Sequence, residues 1–134
     1  MTENWNKDIL CLDKPTERSA VMCDQDQAVQ ILGEVHRACS PVFGGLLKDA
    51  YLYGSYARGD FHAESDIDIF LTVDLEQPEL SKYRNALAEI TSDLSLKHDV
   101  TVSVTVKSFK QFQRYANVLP FYKNVIKEGI LYGA

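Results

Sequence analysis

Two aspartates, Asp66 and Asp68, lie two residues apart in an otherwise apolar run that reads DIDIFLTV. Side chains two residues apart on a β-strand point to the same face, so the pattern predicts both carboxylates on one face and the isoleucines on the other. Neighbouring carboxylates repel each other, and a hard divalent cation is the usual way to keep both ionised. Mg²⁺ accepts such oxygen ligands and leaves coordination positions for substrate phosphates. The strand therefore predicts half of a metal–phosphate site.

A glycine–serine pair, Gly54-Ser55, ends an apolar run ten residues before the first aspartate. Glycine adopts positive φ and allows close approach of the backbone, so the pair predicts a turn at the end of a strand. The residues Ser55 to Arg58 that follow are expected to form a short helical turn. Free backbone N–H groups there, together with the Ser55 hydroxyl, could bind phosphate oxygens. The loop predicts the second half of the site.

The whole stretch GSYARGDFHAESDIDIF resembles the signature of DNA polymerase β-type nucleotidyltransferases, and is most similar to the small bacterial members called minimal nucleotidyltransferases. Six positions carry the resemblance at fixed spacing: Gly54, Ser55, Gly59, Ser65, Asp66 and Asp68. It implies transfer of a nucleoside monophosphate, with ATP as the expected substrate, to a hydroxyl acceptor with release of pyrophosphate. It also implies two Mg²⁺ ions that hold the attacking and leaving oxygens.

Roles for individual residues follow from that resemblance. Asp66 and Asp68 are expected to be catalytic metal ligands, and Gly54 with Ser55 to seat the β- and γ-phosphates. Arg58 is expected to neutralise charge on the leaving pyrophosphate, although a structural ion pair with Asp60 or Glu64 is an equal alternative. Ser65 is assigned to the nucleotide site as a residue that caps or supports the metal-binding strand.

A third metal carboxylate is implied on a later strand, Asp99–Lys107, where valines alternate with polar residues. Asp99 is the only acidic residue on that stretch and shares the parity of the polar face, so it is the candidate catalytic and metal-binding third carboxylate. The alternative is that Ser103 occupies the mid-strand position. In that case the site keeps two carboxylates, and the base that deprotonates the acceptor is in doubt.

Helical periodicity surrounds these strands. Apolar spacing predicts a helix from Asp24 to Val42, capped by Asp24 or Asp26, a second over Glu76–Lys97, and shorter ones over Phe109–Tyr115 and Leu119–Gly129. A first strand is predicted at Leu47–Tyr53, and Ile130-Leu131-Tyr132 forms a short apolar tail. The predicted fold class is α/β (α+β), a small mixed β-sheet with helices on one face. Residues 1–23 show no periodicity and are predicted to form an N-terminal arm, with the nucleotidyltransferase domain over 24–134.

Composition limits the classes of partner and the cellular location that can be expected. The 134 residues carry a net charge of −5, which disfavours binding of nucleic acid through phosphate neutralisation. The sequence has no apolar run of membrane length and three cysteines without metal-site spacing, which favours a cytoplasmic protein with reduced thiols.

The acceptor is not encoded in the motif. Larger relatives add a domain for the acceptor, and this chain has none, which favours a protein acceptor. The resemblance implies the antitoxin half of a two-gene pair that adenylylates a HEPN-type ribonuclease toxin. Two alternatives stay open: a catalytically degenerate nucleotide-binding module that neutralises a partner by contact, and an antibiotic nucleotidyltransferase acting as a homo-oligomer.

Overall fold

The first helix, α1, spans Gln25–Phe43 in a computed structural model that describes residues 24–133. The Asp24 carboxylate accepts the N–H of Gln27 at 2.8 Å, and the Gln27 side chain accepts the N–H of Asp24 at 3.0 Å. This capping box satisfies donors that a helix start otherwise leaves unpaired. The predicted helix and its aspartate cap are confirmed, while the predicted arm at residues 1–23 lies outside the described residues.

A four-stranded mixed sheet forms the centre of the fold. Its strands are β1 (Leu47–Tyr53), β2 (Ile67–Val73), β3 (Val102–Ser108) and β4 (Ile130–Leu131), in the order β3-β2-β1-β4. β2 runs antiparallel to β1 and parallel to β3, and β4 pairs antiparallel with β1. The predicted mixed sheet is confirmed. The tail that the sequence showed only as an apolar run supplies the edge strand β4.

Four further α-helices follow α1: α2 (Ser55–Arg58), α3 (Arg84–His98), α4 (Phe109–Tyr115) and α5 (Pro120–Glu128). The helix predicted over Glu76–Lys97 is divided into a 3₁₀ helix, Gln77–Tyr83, and α3, with the change of geometry at Tyr83. Another 3₁₀ turn, Gly44–Leu46, joins α1 to β1. Within residues 24–133, no helix combines the length and the apolar character needed to cross a bilayer.

Both faces of the sheet are packed against helices. On one face, alternate β2 residues Ile67, Ile69 and Leu71 are fully buried against α1 and its neighbours. On the opposite face, a smaller aromatic cluster centred on Phe70 packs on α4 and α5 through Phe112, Tyr122 and Val125. The helices predicted for one face are there. The packing of α4 and α5 on the other face was not predicted, and it places an aromatic wall beside the face that carries Asp68.

Candidate active site

The strand β2 places Asp68 in the centre of the sheet. Tyr53 of β1 is its antiparallel partner and Ser103 of β3 its parallel partner, so these three side chains share one face. Asp66 directly precedes β2, and its parity puts it on the same side. Ile67 and Ile69, which alternate with these aspartates, are buried on the opposite face. Burial of the isoleucines therefore determines which way the carboxylates point.

The loop after β1 meets this carboxylate directly. Gly54 has φ 79° and ψ −156°, a conformation open almost only to glycine. A Cβ built on Gly54 would lie 2.5 Å from Oδ2 of Asp68. The absence of a side chain therefore lets the start of α2 approach β2. This close approach brings the two halves predicted from the sequence into one site.

Contacts from outside the motif hold α2 in place. Tyr56 is buried and stacks on Phe61 with ring centroids 4.3 Å apart. The Gln25 side-chain amide donates to the carbonyl oxygens of Tyr56 and Ala57, at 2.9 and 3.2 Å. Gln25 thus ties the first turn of α1 to the loop. Sequence reasoning missed this role, because Gln25 and Tyr56 are 31 positions apart and no periodic signal links them.

The electrostatics of Asp68 favour a bound cation. Partial burial raises the pKa of the Asp68 carboxyl, the charge of nearby Asp66 raises it further, and Arg58 acts in the opposite direction. Such a carboxylate gains from a divalent cation, which removes the repulsion that raises its pKa. Within residues 24–133, no three His, Cys, Asp or Glu side chains form a metal-binding group. The donor set fits an ion that completes its coordination with phosphate oxygens and water.

Arg58 lies at the end of α2 in a network of acidic side chains. Its guanidinium pairs with Asp60 at 3.2 Å and with Glu128 of α5 at 3.6 Å. The ion pair with Asp60 was one of the predicted alternatives, whereas the pair with Glu128 was not predicted. Arg58 is also close enough to Asp68 to lower the pKa of its carboxyl. Its role toward pyrophosphate stays a prediction.

Ser65 closes the loop that leads into β2. Its Oγ accepts the N–H of His62 at 2.9 Å, and its own N–H donates to the carbonyl of His62 at the same distance. These paired bonds form a local turn immediately before Asp66. The geometry matches a residue that supports the start of β2, and the assignment of Ser65 to the nucleotide site stays a prediction.

Asp99 does not lie on the third strand. β3 begins at Val102, and Asp99 ends α3 in the left-handed conformation, with φ 53°. The expectation that Asp99 occupies the polar face of a strand is therefore wrong, because the helix extends to His98 and uses Asp99 as its C-cap. The position beside Asp68 is held by Ser103. The alternative of a site with two carboxylates is the one that the register supports.

A tyrosine that sequence reasoning did not select completes the face around Asp68. Partial burial raises the pKa of the Tyr53 phenol, Thr105 of β3 lowers it, and the charge of Asp68 raises it. Phe121 of α5 packs edge-on against the ring of Tyr53, with centroids 5.4 Å apart. The signal that could have identified Tyr53 is the antiparallel register, which is unknown until β1 and β2 are paired.

Family models add an independent finding. The model described as "Nucleotidyltransferase domain" matches residues 35–132, which include every element from the middle of α1 to β4. The chain belongs to this nucleotidyltransferase family. The predicted resemblance is thereby confirmed, and the loop at Gly54 with the carboxylates of β2 becomes the candidate active site of a nucleotidyltransferase domain.

Individual relatives agree with the family. A protein of Methanocaldococcus jannaschii with the name "Putative protein adenylyltransferase" is 34% identical over 100 residues, which cover 74% of this chain and 92% of that protein. A second protein of that organism with the same name is 36% identical over 77 residues, 58% of this chain and 76% of that one. Among solved structures, a toxin–antitoxin complex, MntA–HpeT, matches at 20% identity with a TM-score of 0.45, over 74% of this chain and 68% of that chain.

Proposed function

We propose that this nucleotidyltransferase domain transfers AMP from ATP to a hydroxyl group of a partner protein, with Mg²⁺ as the cofactor. The observation that carries the proposal is the contact between Gly54 and Asp68, since it brings the Gly54-Ser55 loop beside the Asp68 carboxylate. The name of the archaeal relatives, which the chain matches over most of its length, supports a protein acceptor. A HEPN-type toxin is the partner that the proposal names.

In the proposed site each residue has a physical task. Gly54 allows the β- and γ-phosphates to approach the backbone, and the Ser55 hydroxyl donates to them. Asp66 and Asp68 hold the metal, which when bound would stabilise charge on the attacking and leaving oxygens. The acceptor oxygen forms a bond to the α-phosphorus, and the bond from that phosphorus to the pyrophosphate oxygen breaks.

Transfer requires a group that accepts the proton of the acceptor hydroxyl. On the strands described, no third carboxylate stands beside Asp68, because Ser103 holds that place. In this proposal the proton passes to a carboxylate of the pair or to a basic group of the partner protein. The expected consequence is a transfer rate that does not depend on Asp99.

A second candidate function is favoured by the same observation. A site with two carboxylates and Ser103 in the neighbouring position retains the parts that bind Mg²⁺ and ATP, but lacks a third acidic group for activation of the acceptor. Such a protein would neutralise its partner by binding it, without transfer of AMP. The two candidates share the nucleotide site and differ only in the chemical step.

One experiment separates them. The protein is incubated with a purified HEPN-type partner, Mg²⁺ and ATP labelled on the α-phosphate, and label on the partner is measured by mass spectrometry and autoradiography. The enzyme predicts added AMP on a hydroxyl, abolished by Asp66→Asn with Asp68→Asn. Silencing of the partner without added AMP would instead establish the binding function.

Calorimetry provides the matched control for that double variant. The Asp66→Asn, Asp68→Asn protein should lose Mg²⁺-dependent ATP binding while keeping its fold, whereas Asp99→Asn should bind ATP and transfer AMP as the wild type does. Equal affinity of the double variant and the wild type for ATP in the presence of Mg²⁺ would show that the pair is not a metal site.

A further inference from the structure

The strand β3 leaves one edge of the sheet open. It lies at the end of the strand order and pairs only with β2 among the described strands. The N–H groups of Val102 and Ser108 point away from β2, since they donate to Ser95 Oγ at 3.0 Å and to Gln77 Oε1 at 3.3 Å. Alternate residues of a strand share this direction, so the peptide groups of Val104 and Val106 also point outward. No described residue pairs with them.

A groove of about 610 Å³ runs along this open edge. The 3₁₀ helix contributes Leu80 to one wall, α3 contributes Arg84 and Leu87, and the edge strand contributes Val104. Asp66 also lines the groove, so it reaches the candidate active site. The two side-chain caps on β3 occupy the ends of the strand and leave its middle available.

We propose that this groove receives an extended segment of the acceptor protein, which adds to β3 as a fifth strand and brings its hydroxyl level with Asp66. Unpaired peptide groups at Val104 and Val106 recognise a strand backbone rather than a helix or a small molecule. Alternate side chains of the added strand would enter the groove beside the apolar residues Leu80 and Leu87. The inference rests on the proposed transfer to a protein.

The charge of the groove indicates which side chains the acceptor segment carries. Arg84 forms no ion pair with any residue of the described range 24–133, and it lies in the groove wall. An acidic side chain on the added strand would pair with it, whereas a basic one would be repelled. A second copy of this chain would place a second Arg84 near the same edge, so the acceptor segment is the better match.

The register sets the position of the acceptor hydroxyl. Ile67 is level with Val102, so Asp66 is level with Thr101, three residues before Val104. At about 3.3 Å per residue, that separation is roughly 10 Å. A hydroxyl three residues from the one that faces Val104 would therefore lie level with Asp66, with β3 between the added strand and β2. The acceptor residue should be a Ser, Thr or Tyr at that spacing from the paired part of the strand.

The test uses the full chain and a library of ten-residue peptides, each with one Ser, Thr or Tyr and with acidic, neutral or basic residues elsewhere. AMP transfer from α-labelled ATP is measured for the wild type, Val104→Pro and Val104→Ala. Both variants lose the same side chain, but only proline removes the outward N–H, and a proline at such an edge position leaves the bonds to β2 intact. The Val104→Pro protein should show a rise in peptide KM of roughly threefold to tenfold over Val104→Ala, the scale of a lost backbone hydrogen bond, with Mg²⁺-ATP affinity unchanged.

A surface variant tests the groove without risk to the fold. Arg84→Glu should reverse the peptide preference from acidic to basic residues. The proposed groove would be overturned, and AMP transfer left intact, by two results together. Val104→Pro and Val104→Ala would show the same peptide KM, and Arg84→Glu would keep the wild-type preference among the peptides. A dimer in sedimentation equilibrium that Val104→Pro dissociates would also overturn it, because a second copy would then occupy the edge.

Hydrogen exchange separates failure of the groove from failure of the proposed function. Peptides that bind at this edge should slow exchange at the amides of Val104 and Val106, whether or not AMP is transferred. Protection without label would support the docking site and reject the transfer. If no peptide slows exchange at either amide, the docking site is overturned, even if labelled AMP is transferred to a peptide.

Discussion

The contact between Gly54 and Asp68 permits a quantitative prediction. Gly54→Ala places a methyl group in a backbone region, φ 79° and ψ −156°, that costs a residue with a side chain roughly 1–3 kcal/mol. The same methyl would lie 2.5 Å from Asp68 Oδ2, so the carboxylate must move. We expect the free energy of unfolding to fall by at least that backbone cost, and Mg²⁺-ATP affinity to fall at least about tenfold.

Gly59→Ala is the matched control. Gly59 also has positive φ, 90°, but a Cβ there meets no atom within 4 Å. Its substitution should cost about 1–2 kcal/mol of stability for the left-handed backbone, with little effect on ATP binding. Urea denaturation measures the first quantity for both variants, and calorimetric titration with Mg²⁺-ATP measures the second.

A double variant isolates the steric part. With Asp68→Ala the clashing oxygen is gone, so Gly54→Ala should cost less stability in that background than in the wild type, by about 0.5–3 kcal/mol as expected for residues in contact. Identical costs in the two backgrounds would show that Asp68 does not contact the loop. Wild-type ATP affinity in Gly54→Ala, or an equal loss in Gly59→Ala, would refute the role assigned to Gly54.

Three other substitutions test the electrostatics of the fold and site. Because the pKa of Asp68 is raised, its ionised form costs stability as pH rises above the ordinary aspartate range. Asp68→Asn should therefore raise the melting temperature at pH 7, and scanning calorimetry checks it. Burial alone would raise the pKa of Glu34, but hydrogen bonds and charges of His98 and Lys97 lower it overall. The stability that ionised Glu34 contributes is thus present above the pKa of the unfolded state, and it is lost as the pH falls through the lower pKa of the folded state. The difference in free energy of unfolding between wild type and Glu34→Gln should therefore shrink as the pH is lowered, which acid denaturation curves measure. Ser103→Asp adds a third carboxylate beside Asp68 and should permit Mn²⁺ binding without nucleotide, measured by electron paramagnetic resonance; unchanged Mn²⁺ affinity would place residue 103 outside the site.

Local patterns in the sequence determined much of the fold and half of the site. The alternation in DIDIFLTV placed Asp66 and Asp68 on one face, because strand side chains alternate and the isoleucines must be buried. The Gly54-Ser55 turn, the Asp24 cap and the boundaries of β1 followed from residues within a few positions of each other. Such features depend on local backbone geometry, which a sequence displays directly.

Tertiary pairing decided the rest. Whether Asp99 or Ser103 stands beside Asp68 depends on where α3 ends and how β3 aligns with β2, and the two residues are four positions apart in the chain. The approach of Gly54 to Asp68, the tie from Gln25 to α2 and the open edge at Val104 join segments far apart in the chain. Their positions follow from packing of whole elements, and no local pattern of residues encodes that packing.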